Sequence, residues 1–263
     1  MDKLSIVKVG GKVIGNEESL EHLLEAFAQL QGPKVLVHGG GNLASEIGER
    51  LGIKAQMIEG RRVTDEKTLE VVTMVYGGLV NKRLVARLHT LGCMSVGLTG
   101  ADGNVITSKI RPVEEGKDYG LVGEPVAVNN PFIKSLLAQN ITPVVAPLTH
   151  DGEGQLFNTN ADTIANALAS ALSRDFEVDL VFAFELDGVM KDLNDPKSLI
   201  KEITSSTFAE MKAAGTVADG IIPKLESAFE SLDKGASSVK IIRFDTLSQL
   251  NDPHFNTYTN IIR

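Results

Sequence analysis

Two apolar runs in this chain end in consecutive glycines and pass at once into a helical pattern. One is Val7-Lys8-Val9-Gly10-Gly11-Lys12; the other is Val35-Leu36-Val37-His38-Gly39-Gly40-Gly41, followed by Asn42 to Gly52. A buried strand that exits through glycine into a helix must return by crossover to a parallel neighbour, so these junctions restrict the chain to layered α/β architectures. The rest of the sequence keeps the alternation. Leu4 to Val9 reads as a buried strand. Asn16 caps a helix carrying Leu20, Leu23, Leu24 and Phe27, and Gly32-Pro33 ends it before a strand over Lys34 to His38.

Further along, Thr64 and Asp65 offer caps for a long helix reaching Leu91, with Leu69, Val72, Tyr76, Val80 and Leu84 at apolar positions. Strands are expected at Met94 to Leu98, Val105 to Thr107 and Pro143 to Ala146, with a glycine-rich stretch at Tyr119 to Val128 and a helix after Pro131. A helix over Ala161 to Ser173 precedes Leu180 to Phe184, whose wholly apolar composition suits a strand buried on both faces. Helices near Thr207 to Ala214 and from Pro223 to Leu232, then a strand over Val239 to Phe244, complete the pattern. The fold expected is α/β with a mainly parallel central sheet, whose ligands sit beyond the strands' carboxyl ends.

Several function classes are set aside by composition. The 263 residues carry a formal net charge of −8 and no basic run, which argues against binding nucleic acid. Apolar stretches such as Val178 to Phe184 are too short to span a bilayer, and no cationic leader opens the chain, so a cytosolic protein is expected. The single cysteine, Cys93, cannot form an internal disulfide, and the five histidines show no metal-ligand spacing.

The chemistry is carried by a few polar residues at the junctions. Bare amides at Gly40 and Gly41, where a strand becomes a helix, suit an anion, although three glycines also serve a tight turn. Lys8 lies within an apolar strand and needs a negative partner unless its ammonium reaches water. Lys224 follows Pro223 in the first turn of a helix, where a cation opposes the helix dipole unless an anion compensates it. Asn158, Asn160 and Asp162 lead into another helix, as caps or as polar groups facing a ligand, and Asp162 between two lysines would orient both. Arg62 can clamp a carboxylate with two parallel hydrogen bonds. No P-loop, no G-x-G-x-x-G at a strand exit and no protein-kinase signature is present. Lysines, glycine amides, a carboxylate and a guanidinium together suit phosphoryl transfer, where positioning and charge neutralisation dominate.

These residues resemble the amino-acid kinase family almost end to end, through KVGGK, VHGGGN, GRRVTD, VYGGLVNKRLV, VGLTGADGNVI, DYGLVGEPVAVN, PVVAPL, FNTNAD and DGIIPK in order. The resemblance implies a three-layer αβα sandwich of the carbamate kinase-like type. Residues 1–175 would form an acyl-amino-acid lobe and 176–263 a nucleotide lobe. It implies transfer of the ATP γ-phosphoryl group, with Mg2+, to the side-chain carboxylate of an N-acylated glutamate. By position, Lys8 and Lys224 would neutralise the phosphoryl group and Asp162 would hold both. Gly40, Gly41, Arg62, Asn158 and Asn160 would seat the acceptor, and Gly10, Gly11 and Gly188 would lie on the nucleotide side. A homodimer through the helix over 64–91 is implied as well. The segment Phe184-Glu185-Leu186-Asp187-Gly188 departs from the Thr or Ser, then Asp-Val, that precedes the glycine in many relatives, leaving the nucleotide-base contacts open. So do the alternatives stay open: an N-succinylated acceptor, a different small carboxylate, carbamate or phosphate, and a non-catalytic sensor on the same fold.

Overall fold

The structure, a computed structural model, describes residues 1–263 apart from 114, 193–194 and 215–220. Asp219 and Gly220, the start of the DGIIPK motif, therefore lie outside the described residues. In chain order the first half runs β1 (Lys3–Val9), α1 (Gly11–Gly15), α2 (Glu17–Gln29), β2 (Lys34–His38), α3 (Gly41–Arg50), β3 (Gln56–Ile58), β4 (Arg61–Val63), α4 (Glu66–Val72), a π-helical segment (Thr73–Val80), α5 (Asn81–Thr90), β5 (Ser95–Leu98), β6 (Ile106–Ile110), β7 (Gly123–Val128) and α6 (Asn130–Ala138). The second half runs β8 (Thr142–Val145), β9 (Leu148–His150), β10 (Leu156–Asn158), α7 (Ala161–Leu172), β11 (Glu177–Phe184), β12 (Glu202–Ile203), α8 (Ser205–Ala214), α9 (Ile222–Asp233), β13 (Ser238–Arg243) and β14 (Thr259–Ile261).

Among the described residues eight strands form one sheet in the order β12-β14-β13-β11-β1-β2-β8-β5. Every pairing in it is parallel except that of β13 with β14. The alternation of side chains across the pleat divides the core in two. Val7, Val9, Leu36, Val181 and Ala183 pack with α2 and the long helix on one face; Leu4, Ile6, Val35, Val37, Leu180 and Phe182 pack with α6, α7 and α9 on the other. Helices on both faces of a mainly parallel sheet make three layers, as expected. The boundary expected after residue 175 falls between α7 and β11, and the sheet continues across it, because β1 pairs with β11 over Lys3 to Val9.

Local chemistry accounts for the helix starts. Asn16 Oδ1 accepts from the Ser19 amide at 2.8 Å and Asp65 Oδ1 from the Thr68 amide at 2.8 Å. Thr64, the other cap expected for the long helix, is buried and bridges to Gly120 instead; a Cβ at Gly120 would stand 2.4 Å from the Thr64 carbonyl oxygen. That helix runs through α4 and α5 as expected but widens into a π segment around Gly77-Gly78. Of a second sheet, β10-β9-β6-β7, β6 answers to the strand expected over Val105 to Thr107; its other strands and the β3–β4 hairpin lie outside the expected pattern. These strands are short, and β3 and β7 are mostly exposed or half-buried, so no period marks them in the sequence.

Candidate active site

The two glycine exits lie against each other. β1 and β2 are parallel neighbours ending at Val9 and His38, and the Gly39 amide donates to the Val9 carbonyl at 3.0 Å. A Cβ at Gly11 would lie 3.4 Å from the Gly41 nitrogen and 3.6 Å from that of Gly40, so the corners meet backbone to backbone. A Cβ at Gly40 would stand 3.0 Å from Cδ1 of Tyr76, whose ring closes the corner from the π segment. Burial raises the Tyr76 phenol above its usual range, against the opposing pull of Arg62.

Lys8 occupies the pleat position shared with Leu4 and Ile6, and so faces α7 rather than α2. Its side chain is only 9% exposed, and its Nζ meets Asp162 Oδ1 at 2.6 Å. Asp162 stands in the first turn of α7, where the helix dipole favours a carboxylate. Lys224, in the first turn of α9, places its Nζ 3.7 Å from the centroid of the Phe184 ring at the end of β11, and Lys8 Nζ is 6.0 Å from the same ring. Burial lowers the proton affinity of Lys224, and repulsion from Lys8 lowers it further; Asp162 and Glu185 oppose the shift. Two lysines more than two hundred residues apart in the chain thus share one aromatic floor and one carboxylate field.

Both lysines line a cleft of about 1500 Å3 that also includes Gly10, Gly11, Gly40, Gly41, Arg62, Asn158, Asn160 and Asp162. Arg62, on β4, donates through Nη2 to the Gly41 carbonyl at 2.8 Å and to Ser45 Oγ at 2.7 Å, which ties the hairpin to the start of α3. Asn158 is buried and donates through Nδ2 to Thr64 Oγ1 at 2.9 Å. Asn160 also lines the cleft, but its Oδ1 is committed to capping α7, accepting from the amides of Asp162 at 2.7 Å and Thr163 at 3.4 Å. Gly188, expected on the nucleotide side, has a close-packed place beyond the far end of β11. It does not line the cleft, and a Cβ there would come within 2.5 Å of Thr259 Oγ1 and 2.8 Å of Leu199 Cδ1, so its bare α-carbon serves the packing of the chain's last strand.

Lys12, Tyr76 and Ser45 are among the residues of the site that sequence reasoning did not single out. Lys12 lines the cleft and adds positive potential at Lys224; it belongs to the Gly-Gly-Lys exit, where its cationic character was the available signal. Tyr76 and Ser45 reach the site only because the long helix and α3 pack at the glycine corner, and neither has a local sequence signal.

The sequence model of the Amino acid kinase family matches residues 3–243. An acetylglutamate kinase of Cytophaga hutchinsonii is 49% identical over 262 residues, covering 100% of this chain and 99% of its own. Another, of Phocaeicola vulgatus, is 52% identical over 240 residues, covering 91% of this chain and 93% of its own. Among solved structures, a carbamate kinase of Giardia aligns with a TM-score of 0.68 over 100% of this chain and 99% of that one, at 14% identity, a likeness of fold alone.

Proposed function

This chain belongs to the amino acid kinase family, and from that premise we propose that it is an acetylglutamate kinase. It transfers the γ-phosphoryl group of ATP to the side-chain carboxylate of N-acetyl-L-glutamate, giving an acyl phosphate for arginine biosynthesis. The observation that carries the reading is the Lys8–Asp162 pair at 2.6 Å with Lys224 over the same Phe184 ring, at the mouth of the glycine corner.

The acceptor carboxylate is ionised at neutral pH and needs no general base. The obstacle is one anion approaching another, and the residues address it electrostatically. Lys8 and Lys224 offer positive charge to the phosphoryl group from two directions, while Asp162 holds Lys8 in place and leaves its remaining donors for the group in flight. The backbone amides of Gly11, Gly40 and Gly41 lie together at the corner and supply donors that need no reorganisation. Arg62 and Asn158 would seat the acylated amino acid. In this reading the segment after residue 175 carries the nucleotide, and its movement against the preceding lobe closes the cleft.

Mg2+ bound with the nucleotide would neutralise part of the phosphate charge. Asp162 and Glu185 are the carboxylates beside Lys224 that would meet the ion's hydration shell. The protein works as a cytosolic homodimer in this reading. Among the described residues no helix is long and apolar enough to cross a membrane, and Met74 and Leu79 stand exposed on the long helix.

Trapping the acyl phosphate with hydroxylamine tests the reading on a panel of N-acetylglutamate, N-succinylglutamate, glutamate, aspartate and carbamate. The expected result is ATP-dependent product with N-acetylglutamate, lost by ~10²–10³ in rate for Lys8→Ala or Lys224→Ala in folded protein. Preference for N-succinylglutamate would move the assignment to that acceptor, and absence of product with all five would refute the kinase.

A further inference from the structure

His38 is wholly buried at the end of β2 and does not line the cleft, although the next three residues do. Its surroundings determine its protonation atom by atom. Asn81, at the junction of the π segment and α5, is buried too; its Oδ1 lies 3.1 Å from Lys82 Nζ, which can only donate, and its Nδ2 lies 2.9 Å from the Val144 carbonyl, which can only accept. The amide orientation is therefore set twice over. Asn81 Nδ2 is also 3.1 Å from His38 Nε2, so that nitrogen accepts and carries no proton. The other ring nitrogen, Nδ1, lies 2.8 Å from the Gly39 carbonyl oxygen and must donate to it. His38 is a neutral imidazole with its hydrogen on Nδ1, consistent with a pKa pushed down to about 4 by burial.

The consequence reaches the site through peptide planarity. In a trans peptide the carbonyl of one residue and the amide N–H of the next point in opposite directions. Drawing the Gly39 carbonyl to His38 aims the Gly40 N–H the other way. The Gly39 amide is itself bound to the Val9 carbonyl at 3.0 Å, so both polar groups of Gly39 are anchored. Glycine's backbone is soft, and an external anchor is what gives a triple-glycine corner one conformation.

We propose that His38 is a positioning residue for phosphoryl transfer, its Nδ1 hydrogen holding the Gly39 carbonyl so that the Gly40 amide keeps its aim. The proposal rests on the kinase reading given above. It is separable from it by two substitutions that each keep one end of the imidazole. Asparagine places an NH2 on Cγ where Nδ1 stands, and can still donate to Gly39; glutamine carries its amide one carbon further, toward Asn81, and leaves the Gly39 carbonyl without that donor.

Steady-state kinetics with ATP and N-acetylglutamate on wild type, His38→Asn and His38→Gln, each checked for folding by circular dichroism, tests the idea. A misaimed oxyanion donor typically costs ~10–100-fold, so His38→Gln should lose about that much in kcat with both KM values within about threefold, while His38→Asn stays within about fivefold of wild type. Equal losses in the two variants, or a His38→Gln enzyme with wild-type kcat, would overturn the proposal. Nitrogen-15 spectra of the histidine rings in wild type give a readout independent of turnover: one ring should keep its hydrogen on Nδ1 from pH 6 to 8 and lose that signature in His38→Gln. Finding that ring protonated on Nε2 would also overturn it, whereas wild type without activity on any acceptor would instead refute the kinase reading.

Discussion

At the residue scale, the cost of enclosing an ionisable group sets how the fold responds to acid. His38 has its pKa lowered from 6.5 to about 4, with burial as the first cause and Lys82 adding to it. The unfolded chain therefore binds a proton at a pH where the folded chain does not. Stability contributed by the neutral ring is intact above about pH 7, falls as pH drops through the unfolded value, and is fully lost below about pH 4. Between pH 7 and pH 5 the loss is about 2 kcal/mol from this ring alone. Urea unfolding of wild type and His38→Asn at the two pH values should show the variant losing about 2 kcal/mol less; parallel pH profiles would mean the ring is not what titrates. Lys8 is enclosed as well, but has a carboxylate at hand: its Nζ meets Asp162 Oδ1 at 2.6 Å.

At the element scale, the position of Lys224 relative to Asp162 depends on how α7 packs against α9. A polar clasp one turn below the two charged residues joins the helices: Asn166 Nδ2 donates to Ser227 Oγ at 2.8 Å, and Ser231 Oγ donates to Asn166 Oδ1 at 2.5 Å. Asn166 and Ser231 are both buried; loss of Ser231 takes the donor from Asn166 Oδ1, whereas loss of Asn166 still leaves Ser231 Oγ the Ser227 carbonyl at 2.9 Å. Asn166→Ala should cost ~1–3 kcal/mol in denaturant unfolding, and the double variant with Ser231→Ala less than the sum of the singles. Strict additivity would show that the two side chains do not interact. The long helix is the other element with a site role. Its π segment brings Tyr76 under Gly40, and a Cβ at Gly77 would already touch Leu148 Cδ1 and Thr99 Cγ2 at 3.4 Å, so the segment packs closely on one side.

At the scale of the whole molecule, β1 is the centre of the design. It pairs with β2 on one side and β11 on the other, and so carries Lys8 to the point where the chain's two halves meet. The opposite surface of the long helix bears Met74 at 54% and Leu79 at 50% exposure, the surface assigned above to a second copy. Light scattering after gel filtration should give twice the chain mass for wild type and a monomer for Met74→Asp/Leu79→Asp, because two carboxylates in a contact of this kind would go unpaired. Wild type eluting as a monomer would remove the dimer from the reading.

What the sequence by itself determined is the layered class and the junctions. Apolar runs long enough to show burial on both faces, glycines at the exits of Leu4 to Val9 and Lys34 to His38, and caps such as Asn16 and Asp65 are local signals, and local energetics suffices to place them. Lys8 and Lys224 were legible because a cation in a strand or in a helix's first turn is locally unfavourable and asks for a partner, Asp162 as a carboxylate that could answer them, and Arg62 as a guanidinium able to clamp a carboxylate. Which partner each found was decided only in three dimensions: Lys8 with Asp162, Lys224 over Phe184, Arg62 with Gly41 and Ser45. The same holds for Gly188, whose packing against Thr259 depends on a final strand of three residues, and for the side sheet. A three-residue strand has no period of its own and exists because a distant segment pairs with it, just as His38 acquires its tautomer from Asn81 forty-three positions away.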